Sequence, residues 1–293
     1  MDDRKYNLLW QSCLHAKREY DTVVFSYRAI FPVYALIVLY ETALSPLLTL
    51  CRESGLMLHP LEPFLVICAN PFSALIIPVM LLLLLSGFPT RESQNGFFLV
   101  RSSRCSWTSG EILFVLMLSV SVMILVFLFS CIILFPVCAW DAASFNTWSP
   151  LLLNLRVESP ELYDSYSRFL LLPETTTQGS PLVICLHSLA WMLLSTLLQG
   201  MTQLCFAMYD KRSLGFVALL GINGAGFALL HLQSEWKWVF PLPHTMFGLH
   251  FSGLFAQPLF PVGCSYSYFF IMITVLFAVA VRRTIHMDFF GKE

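Results

Sequence analysis

Charge is what this sequence has least of. Asp, Glu, Lys and Arg make up 12% of its 293 residues and hydrophobic residues 57%, whereas a soluble domain carries about a quarter charged. That shortage excludes an ordinary water-soluble domain, and a mean hydropathy of +0.71 agrees. A Gly-x-x-x-x-Gly-Lys-Ser/Thr loop is missing, so the chain has no phosphate cradle of that kind for ATP. Gly-x-Ser-x-Gly, His-Glu-x-x-His and the paired-Glu motif of intramembrane proteases are missing too. An enzyme reading is left without a nucleophile or base, and no catalytic residue or cofactor is assigned to this chain. The nine cysteines show no paired spacing of the metal or redox kind, and inside apolar runs Cys behaves as a small apolar residue. His59, His187, His231, His244 and His250 are read as packing or hydrogen-bonding residues, with no metal site expected. A net charge of −1 says little about partners, and no nucleic-acid partner is expected.

What the sequence does hold is a series of apolar runs long enough to cross about 30 Å of hydrocarbon as helix. Transmembrane barrels alternate apolar and polar residues; a block such as Leu81–Leu85 does not. The expected fold class is all-α, a polytopic membrane protein of six spans. They are placed at Ala29–Leu50, Pro63–Ser86, Ile112–Val137, Pro181–Phe206, Leu214–Leu232 and Val262–Val281. The first carries Glu41, whose carboxylate costs about 2.5–3.5 kcal/mol at mid-helix, less than the span's aliphatic residues return. Glu41 is therefore expected to face protein or water, and is a candidate for a cargo path. Residues 1–28 place Tyr6, Leu9, Trp10, Cys13 and Leu14 on one helical face, the pattern of an amphipathic helix lying in the interface. Residues 29–293 then form the transmembrane domain.

Basic residues set the orientation. With both termini in the cytoplasm, 13 of the 17 Lys and Arg lie inside and Arg52, Arg156, Arg168 and Lys237 outside. In the outer segment 138–180, Ser149-Pro150 and Ser159-Pro160 read as starts of short helices. Residues 233–261 hold Pro241, Pro243, Pro258 and Pro261, too many for a clean span, and read as a re-entrant or interfacial hairpin. "GINGAG", Gly221–Gly226, sits in an apolar run. It lacks the preceding strand of a dinucleotide site, and its small residues suit close helix approach.

The polar strip between the second and third spans is the densest signal. "SGFPTRESQNGFFLVRSSRCSWTSGEI", residues 86–112, contains Phe88, Phe97, Phe98 and Leu99 besides its arginines, more apolar surface than a loop that only fixes topology needs. Its Arg101, Arg104, Trp107 and Gly110 form an Arg-x-x-Arg-x-x-Trp-x-x-Gly sequence. With six spans and an interfacial N-terminal helix, this resembles the permease subunit of a type-2 ATP-binding-cassette (ABC) exporter of the bacterial kind. The chain departs from that pattern at Gly87, where relatives often carry Asp, and at Glu111, where they carry an amide.

The resemblance implies a cell-membrane protein whose cytoplasmic loop 87–111 holds a coupling helix that docks on an ABC ATPase subunit encoded separately. ATP and Mg would be bound by that partner, and a second permease subunit would complete a homo- or heterodimer. The implied coupling residues are Phe88, Pro89, Arg91, Glu92, Phe97, Phe98, Arg101, Arg104 and Trp107, with Trp107 anchoring the re-entry at headgroup level. The expected activity is outward transport of a hydrophobic or amphiphilic cargo, such as a bacteriocin-like peptide or a drug. A membrane-integral protease or lipid transferase, and a non-transporting sensor or immunity protein, stand as alternatives.

Overall fold

Inside hydrocarbon every backbone N–H and C=O must be satisfied within its own segment, and the apolar runs accordingly fold as helices. The computed structural model describes residues 2–54, 57–88, 104–139, 157, 160–161, 171, 173–176, 178–252 and 257–286. Helix α1 is Asp2–Val24. The first span, Tyr27–Glu53, is built from α2 (Ile30–Leu39), a π-helical turn (Tyr40–Leu44) and α3 (Ser45–Ser54). After it come α4 (Glu62–Ala69), α5 (Pro71–Leu84) and the 31-residue α6 (Arg104–Leu134). The short α7 (Pro173–Thr176) precedes α8 (Pro181–Met208) and α9 (Arg212–His231). The one-turn α10 (Pro241–His244) and the long α11 (Val262–His286) complete the chain. Among the described residues, five helices are long and apolar enough to cross a membrane, or six with α4 and α5 counted as one broken span. The protein is an all-α, multi-pass membrane protein.

The second span departs from the straight helix expected over 63–86. Helices α4 and α5 meet at 88°. Asn70 at the corner is extended, with φ −83° and ψ 122°, and its Oδ1 accepts from the N–H groups of Phe72 and Ser73 at 2.9 and 3.3 Å. A proline disfavours helical geometry in the residue before it and supplies no N–H of its own. Asn-Pro thus ends α4 and caps α5 in one step, a cap contributing about 1 kcal/mol. Pro78 lies inside α5 without ending it.

Core packing runs the length of the bundle. Phe64 meets Phe127 edge-on at 5.3 Å, and Phe88 packs on Phe114 at 4.7 Å. Trp191 on α8 is wholly buried. Gly200 on α8 lets the side chain of Val115 on α6 approach where a Cβ would stand, so close helix approach rests on a glycine here as in membrane bundles generally. By contrast, nothing lies near Gly221 or Gly224 on α9, while Gly226 faces Phe240 and Leu242. Of the expected close-approach face, only part is in use within the chain.

Of the expected hairpin over 233–261, the described residues fold as short turns and a two-residue strand pair. A 3-10 turn (Glu235–Val239), α10 and a second 3-10 turn (Phe247–His250) lead into a two-residue antiparallel pair, β1 (Phe251–Ser252) with β2 (Gln257–Pro258). The segment starting at Ser149-Pro150, and almost all of that starting at Ser159-Pro160, lie outside the described residues.

Candidate functional site

Polar side chains gather at both ends of the bundle. At the first end, α1 lies along the opening turns of α6. Ser12 Oγ donates to the Ser106 carbonyl at 3.1 Å and meets Ser106 Oγ at 3.4 Å. Higher up, Tyr20 and Ser121 hydroxyls are 2.8 Å apart. Between these contacts His15 Nε2 sits 3.1 Å from Glu111 Oε1, both side chains buried. Gly110 makes room for this contact, because a Cβ there would stand 2.6 Å from the imidazole. Glu19, one turn beyond His15 on α1, brings a second buried carboxylate to the same place.

The last turn of α11 joins this end. Arg104 Nη1 donates to the Ile285 carbonyl at 2.8 Å, and the Thr108 and Thr284 hydroxyls lie 2.6 Å apart. Arg283 Nε donates to the Met208 carbonyl at the end of α8. Beside the joint, an apolar cavity of about 320 Å³ opens between α1, α2, α5 and α6, with Val24, Pro32, Leu36, Leu84, Leu118 and Val122 in its wall.

At the opposite end, Ser265 at the start of α11 stands between two buried histidines. Its Oγ is 2.8 Å from His244 Nδ1 and 2.7 Å from His250 Nε2. The outer nitrogens face carbonyls, His244 Nε2 that of Trp238 at 2.7 Å and His250 Nδ1 that of Met246 at 3.1 Å. Carbonyls only accept, so each outer nitrogen carries its ring's proton and each inner nitrogen offers a lone pair. Ser265 has one proton to give to the two. The neutral chain of four contacts thus holds three protons, and a fourth would make one ring an imidazolium. Burial opposes that charge and pushes both histidines down, His250 to about 4. Trp191 stacks on His250 at 4.6 Å, and His187, bonded to Tyr266 at 2.8 Å, closes the group. The groups acting on His250 electrostatically are the neighbouring histidines His244 and His187.

The residues singled out from sequence fall in different places. Pro89, Arg91, Glu92, Phe97, Phe98 and Arg101 lie outside the described residues. Phe88 is not presented outward: the Phe88 N–H donates to the Leu85 carbonyl at 2.9 Å, folding the chain back so that its ring is buried on Phe114. Arg104 is exposed and tied to α11 as above. Trp107 is 7% exposed and sits 6.4 Å from the His15 ring, covered by α1. Glu41 lies in the π-helical turn of the first span with its side chain exposed. The described residues do not enclose it.

Three residues escaped the reading by spacing. His15 and Glu19 in "HAKRE" are one helical turn apart and share a face of α1, a signal present in the sequence but lacking its third member. Glu111 joins them only through the docking of α1 on α6. Comparison with protein-family models, with curated proteins and with solved structures gives no match at all.

Proposed function

We propose that this chain is the membrane-spanning permease subunit of an ATP-driven ABC exporter, working with an ATPase on a separate chain. The observation that supports it best is how the segment 89–103 is held at its two ends. Before it, Phe88 is sunk against Phe114. After it, Ser106, Thr108 and Glu111 are bonded to α1 and α11. A push on the segment from a partner would be delivered to α1, α5, α6 and α11 together, since packed helices move as units. In this reading the α1 end of the bundle is cytoplasmic, both termini lie there, and the Ser265 end faces outward.

The apolar cavity beside α1 and the scarcity of charge in the spans favour a hydrophobic or amphiphilic cargo moved outward, such as a peptide or a lipophilic drug. Glu41 favours a second permease subunit in the assembly, because a carboxylate exposed on a span needs polar company that the described residues do not supply.

The test is a pull-down of the ATPase subunit from native membranes by wild type and by a Phe97→Ala/Phe98→Ala chain at equal membrane level. Anchor residues contribute about 1–3 kcal/mol each, so the double variant should recover several-fold less ATPase and transport correspondingly less. Equal recovery with unchanged transport, or ATP hydrolysis by the purified chain alone, would overturn the reading.

A further inference from the structure

We propose that His15, Glu19 and Glu111 form a binding site for a first-row divalent cation of the Mn(II) to Zn(II) class, which clamps α1 to the start of α6. Each residue offers one ligand atom, and the three atoms lie within 4.8 Å of one another. Metal–ligand bonds of about 2.0–2.2 Å place adjacent donors roughly 3.0–3.6 Å apart. The 3.1 Å between His15 Nε2 and Glu111 Oε1 fits one edge of such a polyhedron. The Glu19 carboxylate, one turn along the same helix, has an oxygen within 4.8 Å of both atoms and is the candidate third ligand.

A separate observation points to a ligand. Glu111 is 1% exposed, its carboxylate is turned to His15, and its second oxygen, Oε2, has no hydrogen-bond partner among the described residues. A buried carboxylate oxygen left unmet costs more than an ordinary unpaired polar atom. Protonating His15 does not cure this, since its Nε2 already serves Oε1. Arg212, at the start of α9, acts on Glu111 electrostatically, as do His15 and Glu19. Arg212 offsets part of the negative charge yet contributes no ligand atom. A dication meets both needs: it balances two carboxylates and gives the free oxygen a partner.

The donor set decides the class. Two carboxylate oxygens with one imidazole nitrogen suit Mn(II), Fe(II) and Zn(II), while an all-oxygen cage would be needed to favour Mg(II) or Ca(II). Three protein ligands leave positions for water, and Gly110 lets the His15 ring reach Glu111, since a Cβ there would meet the imidazole. Because α1 and α6 contribute separately, the cation would couple the interfacial helix to a membrane span. Its presence or absence would then set how firmly that helix is held. This inference rests on the α1–α6 geometry and stands apart from the transport reading.

The experiment uses the full chain, purified in a maltoside detergent and stripped with chelator. Mn(II) is titrated in and the free ion followed by its electron paramagnetic resonance signal. Mn(II) is chosen because the exposed Cys13, Cys105 and Cys264 would draw Zn(II) to thiolates. The expected result is one saturable Mn(II) per chain, with affinity falling on the order of tenfold or more in each of Glu19→Gln, Glu111→Gln and His15→Ala. Mn(II) should also raise the unfolding temperature of the wild type and leave that of the variants unmoved. Mg(II) should not displace it at equal concentration. Should Glu111→Gln fail to fold, Glu19→Gln and His15→Ala, checked by size-exclusion profile, carry the test. No saturable Mn(II) in the wild type, or wild-type affinity in the folded variants, overturns the site.

Discussion

At the scale of the residue, the chain stakes most on a few buried polar groups, and their protonation is where pH reaches the fold. His250 is held near 4, against an ordinary value of 6.5, because burial disfavours its cation and the neighbouring His244 and His187 oppose it further. The unfolded chain therefore binds more protons between about 4 and 6.5, so stability should rise with pH across that window and stay level above it. The full loss on acidification amounts to roughly 3 kcal/mol for His250. Thermal unfolding in detergent from pH 4 to pH 7.5 checks this; a flat profile below 6.5 would show that the outer histidines already carry a proton. Glu41 makes the opposite case, an exposed carboxylate in a span. Glu41→Gln removes a charge from the span and lowers its insertion cost, so membrane yield of the variant should hold or rise. Collapse of that yield would mean the carboxylate is bound by a partner the folded protein needs.

At the scale of the element, the joint between α1 and α6 depends on a missing side chain. A Cβ on Gly110 would meet His15, and a branched residue would push α1 away from α6. Gly110→Val should therefore weaken the joint while leaving the packing of the other spans unchanged. A cysteine pair placed at Ser12 and Ser106, whose hydroxyls are 3.4 Å apart, reports on it in a chain with Cys13 and Cys105 replaced by Ser. Oxidative cross-linking should be efficient with Gly110 and fall several-fold with Gly110→Val. Unchanged cross-linking would show that α1 accommodates the side chain by a small shift. The corner at Asn70 follows from a different logic, since Asn-Pro is a local instruction that no neighbour has to enforce.

At the scale of the whole molecule, the ends of the bundle differ in kind. The α1 end is tied by hydrogen bonds among α1, α6, α8 and α11. The other end is closed by stacked rings around Trp191 and Trp238. If the proposed orientation holds, reporter fusions at Lys292 and Gln178 should read opposite compartments, in keeping with 13 of the 17 basic residues lying inside. Identical signals from the two fusions would break the six-span topology.

Composition and periodicity alone determined that the chain is a helical membrane protein, where five of its spans run, and that residues 233–261 break into turns. These follow from hydrocarbon solvation and proline chemistry, which act on each segment separately. The Asn70 corner rests on an equally local Asn-Pro signal, which the reading of 63–86 as one continuous helix passed over. Tertiary structure decided what depends on two segments meeting. Phe88 turns inward because Phe114 is there to receive it, and Trp107 is covered because α1 lies over it. Glu111 gains His15 and Glu19 from a helix some ninety residues earlier in the chain. Ser265 acquires two histidines only when the hairpin folds over the mouth of α11. No spacing rule reaches such pairs, because a side chain's chemistry is written in the sequence but its partner is chosen by packing.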